Sequence, residues 1–303
     1  MKKKLEYIMV ISFSVLLLFA GTTMLMAQES ADESTEIEDG LKPQRPAFES
    51  SWIIDNQTAS MYSKGSFEFM IQHRFGTIDN GIKDLWGLYA PSNIRLGLSY
   101  TISDNFGIGS IKGPLSVGIG TTKNDFIQDV NVKYGLFTQN RSGSMPVTIT
   151  YFFDMAIETA KPTESLPNGN ESDRLSYFHQ ILIARRFSPK ISIQIAPSLT
   201  HYNTAPANRE NDHFAISLSG RYKFSPQSAI LIGIDQPITK HTTGNPQPNL
   251  SFGIEVATSA HAFQIFMTNY SAIVPQKNNY YNQNDYQEGE FVIGFNITRL
   301  WNF

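Results

Sequence analysis

The sequence contains no cysteine. That excludes a disulfide scaffold, a thiolate zinc site, a cysteine nucleophile and a lipoprotein anchor on a terminal cysteine. Charge is also scarce: Asp, Glu, Lys and Arg make up 17% of the 303 residues, against roughly 25% in an average soluble domain. No apolar run reaches the about 20 residues that a transmembrane helix needs. The longest, residues 8–20, is broken by Ser12 and Ser14 and gives way to Gly21, Thr22 and Thr23. Neither an HExxH nor a Gly-x-Ser-x-Gly pattern is present, so no zinc protease or serine hydrolase signature stands out. No cofactor is implied.

What is present is aromatic: Phe, Trp and Tyr make up 12% of the chain. Low charge with many Tyr and Phe suits a β-barrel whose outside faces lipid. Lys2, Lys3 and Lys4 precede the apolar run, and Leu25-Met26-Ala27 places a small residue before Gln28. This is the pattern of a signal peptide over residues 1–27, with cleavage expected after Ala27. Losing three lysines and Glu6 takes the formal charge from −3 to −5. An exported, mildly acidic protein argues against nucleic acid as a partner.

Residues 28–47 read as an acidic disordered leader. Glu29, Asp32, Glu33, Glu36, Glu38 and Asp39 occur without a basic residue through Gly40, and Ile37 is the one large aliphatic there; such a stretch buries too little surface to fold. Pro43 and Pro46 then lead to residues 48–66, whose start mixes aromatic, aliphatic and amide residues without a period. Two readings fit this segment, a periplasmic lead-in, which is preferred, and a plug entering a barrel.

From Phe67 to Phe303 runs of about ten residues alternate, near the length of a tilted membrane-crossing strand. Ile94, Leu96, Leu98 and Tyr100 oppose Asn93, Arg95, Gly97 and Ser99; Val130, Val132 and Tyr134 oppose Asp129, Asn131 and Lys133. Two Ser-Pro turns, at residues 188–190 and 225–227, each follow a phenylalanine and mark equivalent hairpins. Short connections (101–105, 188–190, 225–227, 258–260) alternate with long polar ones (76–90, 160–173, 203–212, 238–249, 271–288). Residues 138–145 are longer and 121–125 shorter than their class predicts. Short periplasmic turns and long outer loops are the pattern of an outer-membrane barrel, and a β-sandwich has no reason to keep one end short. The fold predicted is all-β: a closed antiparallel transmembrane β-barrel of about 12 strands.

In the last segment, 291–303, Phe295, Ile297, Trp301 and Phe303 fall on one face. A strand with this apolar face and an aromatic end resembles the closing strand of bacterial outer-membrane barrels, which the barrel assembly machinery recognises. It is expected to close on residues 67–75. More widely, Phe48-Glu49-Ser50, Ile53-Ile54-Asp55-Asn56-Gln57, Lys64-Gly65-Ser66-Phe67-Glu68-Phe69, His73-Arg74-Phe75-Gly76 and Ile94-Arg95-Leu96-Gly97-Leu98-Ser99-Tyr100 resemble a family of Gram-negative outer-membrane barrels classed as a domain of unknown function. The resemblance covers most of the chain from Phe48 onward. It implies fold and location, and carries no catalytic residues.

Placing the polar face of each strand in the lumen puts six acids (Glu68, Asp129, Asp154, Glu158, Asp235, Glu255) beside six bases (Arg74, Arg95, Lys133, Arg186, Arg221, Lys223). Charges in a narrow space are costly unless paired, so a structural ion-pair network is the preferred reading over a selectivity ring. Inward glycines, among them Gly97, Gly118, Gly120 and Gly294, are assigned to wall curvature. His179 and Arg185 fall on the lipid face; Arg185 suits snorkelling, and His179 has no explanation there. Pro197 in mid-strand suggests a bulge. His201 and His213 flank one outer loop beside Asp212, a conceivable metal or base site, though interfacial polar residues are the preferred reading. Tyr280, Tyr281 and Tyr286 sit in a loop read as soluble, at the aromatic girdle, over the alternative of sugar stacking.

Three functions follow: passive passage of a small solute through a partly plugged lumen, a non-conducting structural or surface-interaction barrel, and a rim-sited hydrolase. The first is preferred. Outer-membrane lipid is the expected surrounding.

Overall fold

A computed structural model describes residues 41–160 and 169–303. The expected signal peptide and residues 28–40 of the leader lie outside the described residues. A minimal hairpin, β1 (Trp52–Ile53) and β2 (Asn56–Gln57), precedes twelve long strands. These are β3 (Ser66–Thr77), β4 (Asn93–Ile108), β5 (Ile111–Thr122), β6 (Ile127–Phe137), β7 (Thr148–Glu158) and β8 (Leu175–Arg186). The remainder are β9 (Ile191–Tyr202), β10 (Asp212–Lys223), β11 (Ser228–Pro237), β12 (Asn249–Ala257), β13 (His261–Thr268) and β14 (Val292–Asn302). Each pairs antiparallel with its sequence neighbours, and β14 closes on β3 with Trp301 opposite Phe67 and Ile297 opposite Ile71. The predicted closed barrel and its seam are both found.

Alternation sets the wall. In β8, Ser176, Phe178, Gln180, Leu182 and Ala184 are buried, and the residues between them are not. Ile119, Ile232, Ile254 and Ile265 stand outward at 52–66% exposure, whereas Gln72, Arg74, Gln194 and Thr200 are fully enclosed. A wall apolar outside and polar inside suits lipid as the outer solvent. Among the described residues no helix is long and apolar enough to cross a membrane.

One end of the barrel carries short turns, at residues 109–110, 187–190, 224–227 and 258–260. The turn placed by sequence at 101–105 lies farther on, because β4 runs to Ile108 with register shifts between Thr101 and Phe106. The long 138–147 connection at this end has a local cause: it pairs with the incoming chain. Gln44 N donates to Gln139 O (2.8 Å) and Arg141 N to Lys42 O (3.1 Å), with Pro43 opposite Asn140.

The residues that fitted poorly now have neighbours. His179 Nδ1 lies 2.7 Å from the Tyr151 hydroxyl, and its ring packs on Phe153 at 4.9 Å. Arg185 covers Phe187 at 5.0 Å; Arg299, a charge among the apolar residues on the outer face of β14, likewise covers Trp301 at 5.3 Å beside His261; both rest on aromatic faces near the short-turn end. The bulge expected at Pro197 is absent. Pairing keeps one register along β9, and the β8 ladder is merely interrupted between Gln180–Ser198 and Ile183–Ile195, where proline supplies no N–H.

Candidate functional site: a lumen filled from both ends

From Pro46 the chain runs into the barrel, reverses at Ile54 and Asp55, and leaves past Tyr62 to begin β3. Phe48, all residues from Ser50 to Ser60, and Ala47 are buried. This corrects the preferred reading of a lead-in outside the barrel. The absence of period has a physical reason: the segment has wall on every side, so no alternation between two faces is imposed on it.

The wall supplies the ladder that this hairpin cannot make itself. Gln264 accepts from Ile54 N (3.1 Å) and donates to Trp52 O (2.8 Å); Gln194 accepts from Ala59 N (2.8 Å) and donates to Gln57 O (2.7 Å). Asn296 donates to Ile54 O (2.7 Å) and Thr150 to Ala59 O (2.9 Å). Buried backbone groups without such partners would each cost about 1–3 kcal/mol. One flank of the hairpin is apolar: Phe48, Ile53, Ile54 and Ala59 join Phe152, Phe178, Leu182, Leu231 and Phe266 of the wall. Ile54 holds a left-handed φ of 59°, a strained conformation for a β-branched residue, and is fully buried.

The twelve charged side chains do not form one cluster. Two pairs join members of the set: Arg95 with Asp129 (2.5 and 2.9 Å) and Arg221 with Glu255 (3.1 Å). The others reach the plug or the loops. Arg74 pairs with Asp55, and Lys133 donates to Ser60 O at 2.7 Å. Glu68 accepts from Ser51 (2.7 Å), Tyr62 and Ser99. Lys223 and Arg221 meet Glu49 (3.2 and 3.4 Å), and Arg186 donates to Pro46 O (3.3 Å). Asp235 accepts from Asn56 (2.8 Å) and Asn249 (3.3 Å).

Inward glycine has a more local purpose than curvature on the β4–β6 wall. A Cβ at Gly120 would collide with the Arg95 guanidinium and the Asp129 carboxylate, and one at Gly97 with Arg95. The pair spans from β4 to β6 across β5 because β5 has no side chain there.

The other end is closed by the 269–291 connection. Its helix α1 (Pro275–Tyr281) buries Gln276, Asn278, Asn279 and Tyr280, which corrects the expectation of a soluble loop at the girdle. Gln276 donates to Asp154 (2.6 Å), and Lys277 bridges Glu158 (2.6 Å) and Asp125 (3.1 Å). Asn278 donates to Asp55 at 2.5 Å, so helix and plug meet inside the barrel. Tyr280 packs on Tyr202 (4.7 Å) and His241 (4.9 Å), under the Arg209 guanidinium. Burial raises Tyr280 and Tyr281 to about 12, and burial with Arg209 lowers His241.

Three cavities follow the β3–β6 side of the lumen. About 210 Å³ opens at the short-turn end between Gln44, Met61, Pro114 and Phe137. About 40 Å³ lies at mid-lumen among Ser51, Tyr62, Glu68, Ser99, Asn131 and Lys133. About 80 Å³ lies near the long loops between Asn93, Thr122, Asp125 and Lys277. Ser60, Met61 and Tyr62 of the plug line both of the first two.

His201 and His213 do not converge. Asp212 faces His201 in register, with 2.7 Å between Oδ1 and Nδ1, whereas His213 is one residue on and therefore points inward, to His241 at 3.1 Å. Among the described residues no group of three or more His, Cys, Asp or Glu could hold a metal ion. Phe295 and Ile297 stand on the outer side of β14, Trp301 packs on Phe67 at 5.6 Å, and Phe303 is 88% exposed.

The sequence profile of a family described as a membrane-bound beta barrel domain (DUF5777) matches residues 48–301. No functionally curated protein matches the chain in sequence. Among solved structures, the KdgM porin is similar at 9% identity and a TM-score of 0.45, covering 78% of this chain and 99% of the porin. An outer membrane channel from Pseudomonas putida F1 is 10% identical with a TM-score of 0.44, covering 80% and 97% of the two chains. The Acinetobacter baumannii outer membrane protein Omp33 is 9% identical with a TM-score of 0.41, covering 78% and 99%. At these levels the likeness is one of barrel architecture.

Proposed function

We propose, for a chain that belongs to the DUF5777 family of membrane-bound beta barrel domains, that it is a normally closed channel of the outer membrane. A small polar solute passes along the β3–β6 side when the plug shifts. The carrying observation is the lumen's asymmetry: the plug is held by apolar packing against β7, β8, β11 and β13, while cavities of mixed polar and apolar lining follow the β3–β6 side. In this reading the short-turn end, where residues 42–44 enter, faces the periplasm.

The native chain's lack of cysteine makes a plug lock a clean test. Ser50 and Thr298 hydroxyls lie 3.4 Å apart, a spacing compatible with a disulfide in Ser50→Cys/Thr298→Cys. Oxidised protein in planar bilayers is expected to lose the opening events of the reduced form. Equal conductance in both redox states would sink the gating role of the plug. A second reading, a barrel that conducts nothing, is favoured by the contact of Asn278 with Asp55, which joins the helix from one end to the plug from the other inside the barrel.

We also assign to Phe295, Ile297, Trp301 and Phe303 the contact with the barrel assembly machinery. Phe303→Ala with Trp301→Ala is expected to reduce the heat-modifiable, folded fraction in membranes while leaving synthesis unchanged; an unaltered fraction would refute it.

A further inference from the structure

A groove on the outer wall stands apart from the lumen. It lies between β13, β14 and β3, holds about 380 Å³, and presents only apolar surface from Phe75, Phe263, Ile265, Ile293, Phe295 and Ile297. That volume falls within the roughly 300–1,000 Å³ of ligand sites. It coincides with two irregularities of the wall: β13 has only eight residues, and β14 slips against β3 between Val292 and Gly294. His73 stiffens one side, stacked on Phe295 at 4.9 Å and 2°.

The long-loop end of the groove is continuous with the connection 78–92. Ile78 N donates to Phe291 O (2.8 Å) and Gly76 N to Gly87 O (3.0 Å), which pins this connection to the rim directly beyond Phe75. Gly76 and Gly87 approach so closely that a Cβ on either would strike the other's backbone carbonyl or Ala90. Leu85 and Trp86 both take left-handed φ values of 54°. Ile82, Trp86 and Tyr89 are left 47–80% exposed. Trp and Tyr favour the membrane–water interface, where an apolar ring and a polar edge are both satisfied.

We propose that this groove is a lipid site: one acyl chain of a membrane lipid lies between β13, β14 and β3, and the 78–92 connection covers the head-group level with Trp86 and Tyr89. The occupant is lipid because these strands cross the membrane and the groove offers no polar group to anything else. The site is independent of whether the lumen conducts.

The test is native mass spectrometry of barrels extracted from vesicles of phosphatidylethanolamine and phosphatidylglycerol. Wild-type barrels are expected to retain one lipid. Ile293→Trp, which fills the groove, is expected to lower that occupancy about tenfold, the change that roughly 1.4 kcal/mol of lost binding produces. Ile232→Trp, on the lipid face of β11, is expected to leave it unchanged. Heat-modifiability verifies that each variant is folded. In a protein with Trp86 as sole tryptophan (Trp52→Phe, Trp301→Phe), lipids brominated near the head group are expected to quench more than lipids brominated deep in the chain. Absence of a retained lipid, equal losses in the two variants, or no shallow quenching of Trp86 would overturn the assignment.

Discussion

Removing residues 48–62 is expected to turn a closed barrel into an open one, with conductance in planar bilayers rising on the order of tenfold or more. The size argument comes from strand number. About eight strands leave room only for side chains, and 16 to 18 enclose an aqueous channel, so a twelve-stranded wall stripped of its plug retains a passage. The wall itself should survive, because Gln194, Gln264 and Asn296, which now satisfy plug backbone, can turn to water. Phe48, Ile53 and Ile54 each contribute roughly 1.5–3 kcal/mol of apolar burial, which is lost, so the shortened protein should also unfold at lower denaturant. A folded deletion protein that conducts no more than wild type would place the obstruction in α1 rather than in the plug.

Asp55→Ala is expected to destabilise the folded barrel by about 3–5 kcal/mol, the cost of leaving a buried charge without its partner. Arg74, fully enclosed, loses the carboxylate that neutralises it, and Asn278 loses its acceptor. Urea titration of reconstituted protein measures the effect. Arg74→Ala added to Asp55→Ala should recover part of the loss, and the double-mutant cycle then gives the coupling between wall and plug. Additive losses would mean that the two side chains act separately. Because Asp55 is also where plug and α1 touch, Asp55→Ala protein should open more often in bilayers even in conditions where it stays folded.

The wall was legible because lipid and lumen impose a period of two on every strand. Leu96, Leu98 and Ile119 could only face outward, Arg95 and Asp129 only inward, and the seam between β14 and β3 followed once each strand had a neighbour. The partner of each lumen charge was not legible. Arg95 reaches Asp129 across an intervening strand, and that depends on Gly120, opposite Asp129 on one side and Gly97 on the other, putting no side chain in the way, a coincidence of register that composition does not display. The plug ranked only second among the readings of its segment, and α1 was read as a soluble loop, for a common reason. Enclosed on all sides, Ile53, Asp55, Asn56, Asn278 and Tyr280 obey no face, and their amide-rich composition imitates an exposed loop. His201 and His213 flank one loop in the sequence, but they stand one residue out of register, which in a strand turns them in opposite directions.

The plug's two limbs both pass through the short-turn mouth, with Gly65 N bonded to Thr101 O (2.9 Å) where the chain rejoins the wall. A hairpin that goes in and out by one opening is never threaded, so no chain end has to travel through the barrel to place or remove it. The cylinder can therefore seal first and receive its stopper later, and the stopper stays tethered when it leaves. Reversibility is thus a property of the topology, before any energy of contact is considered.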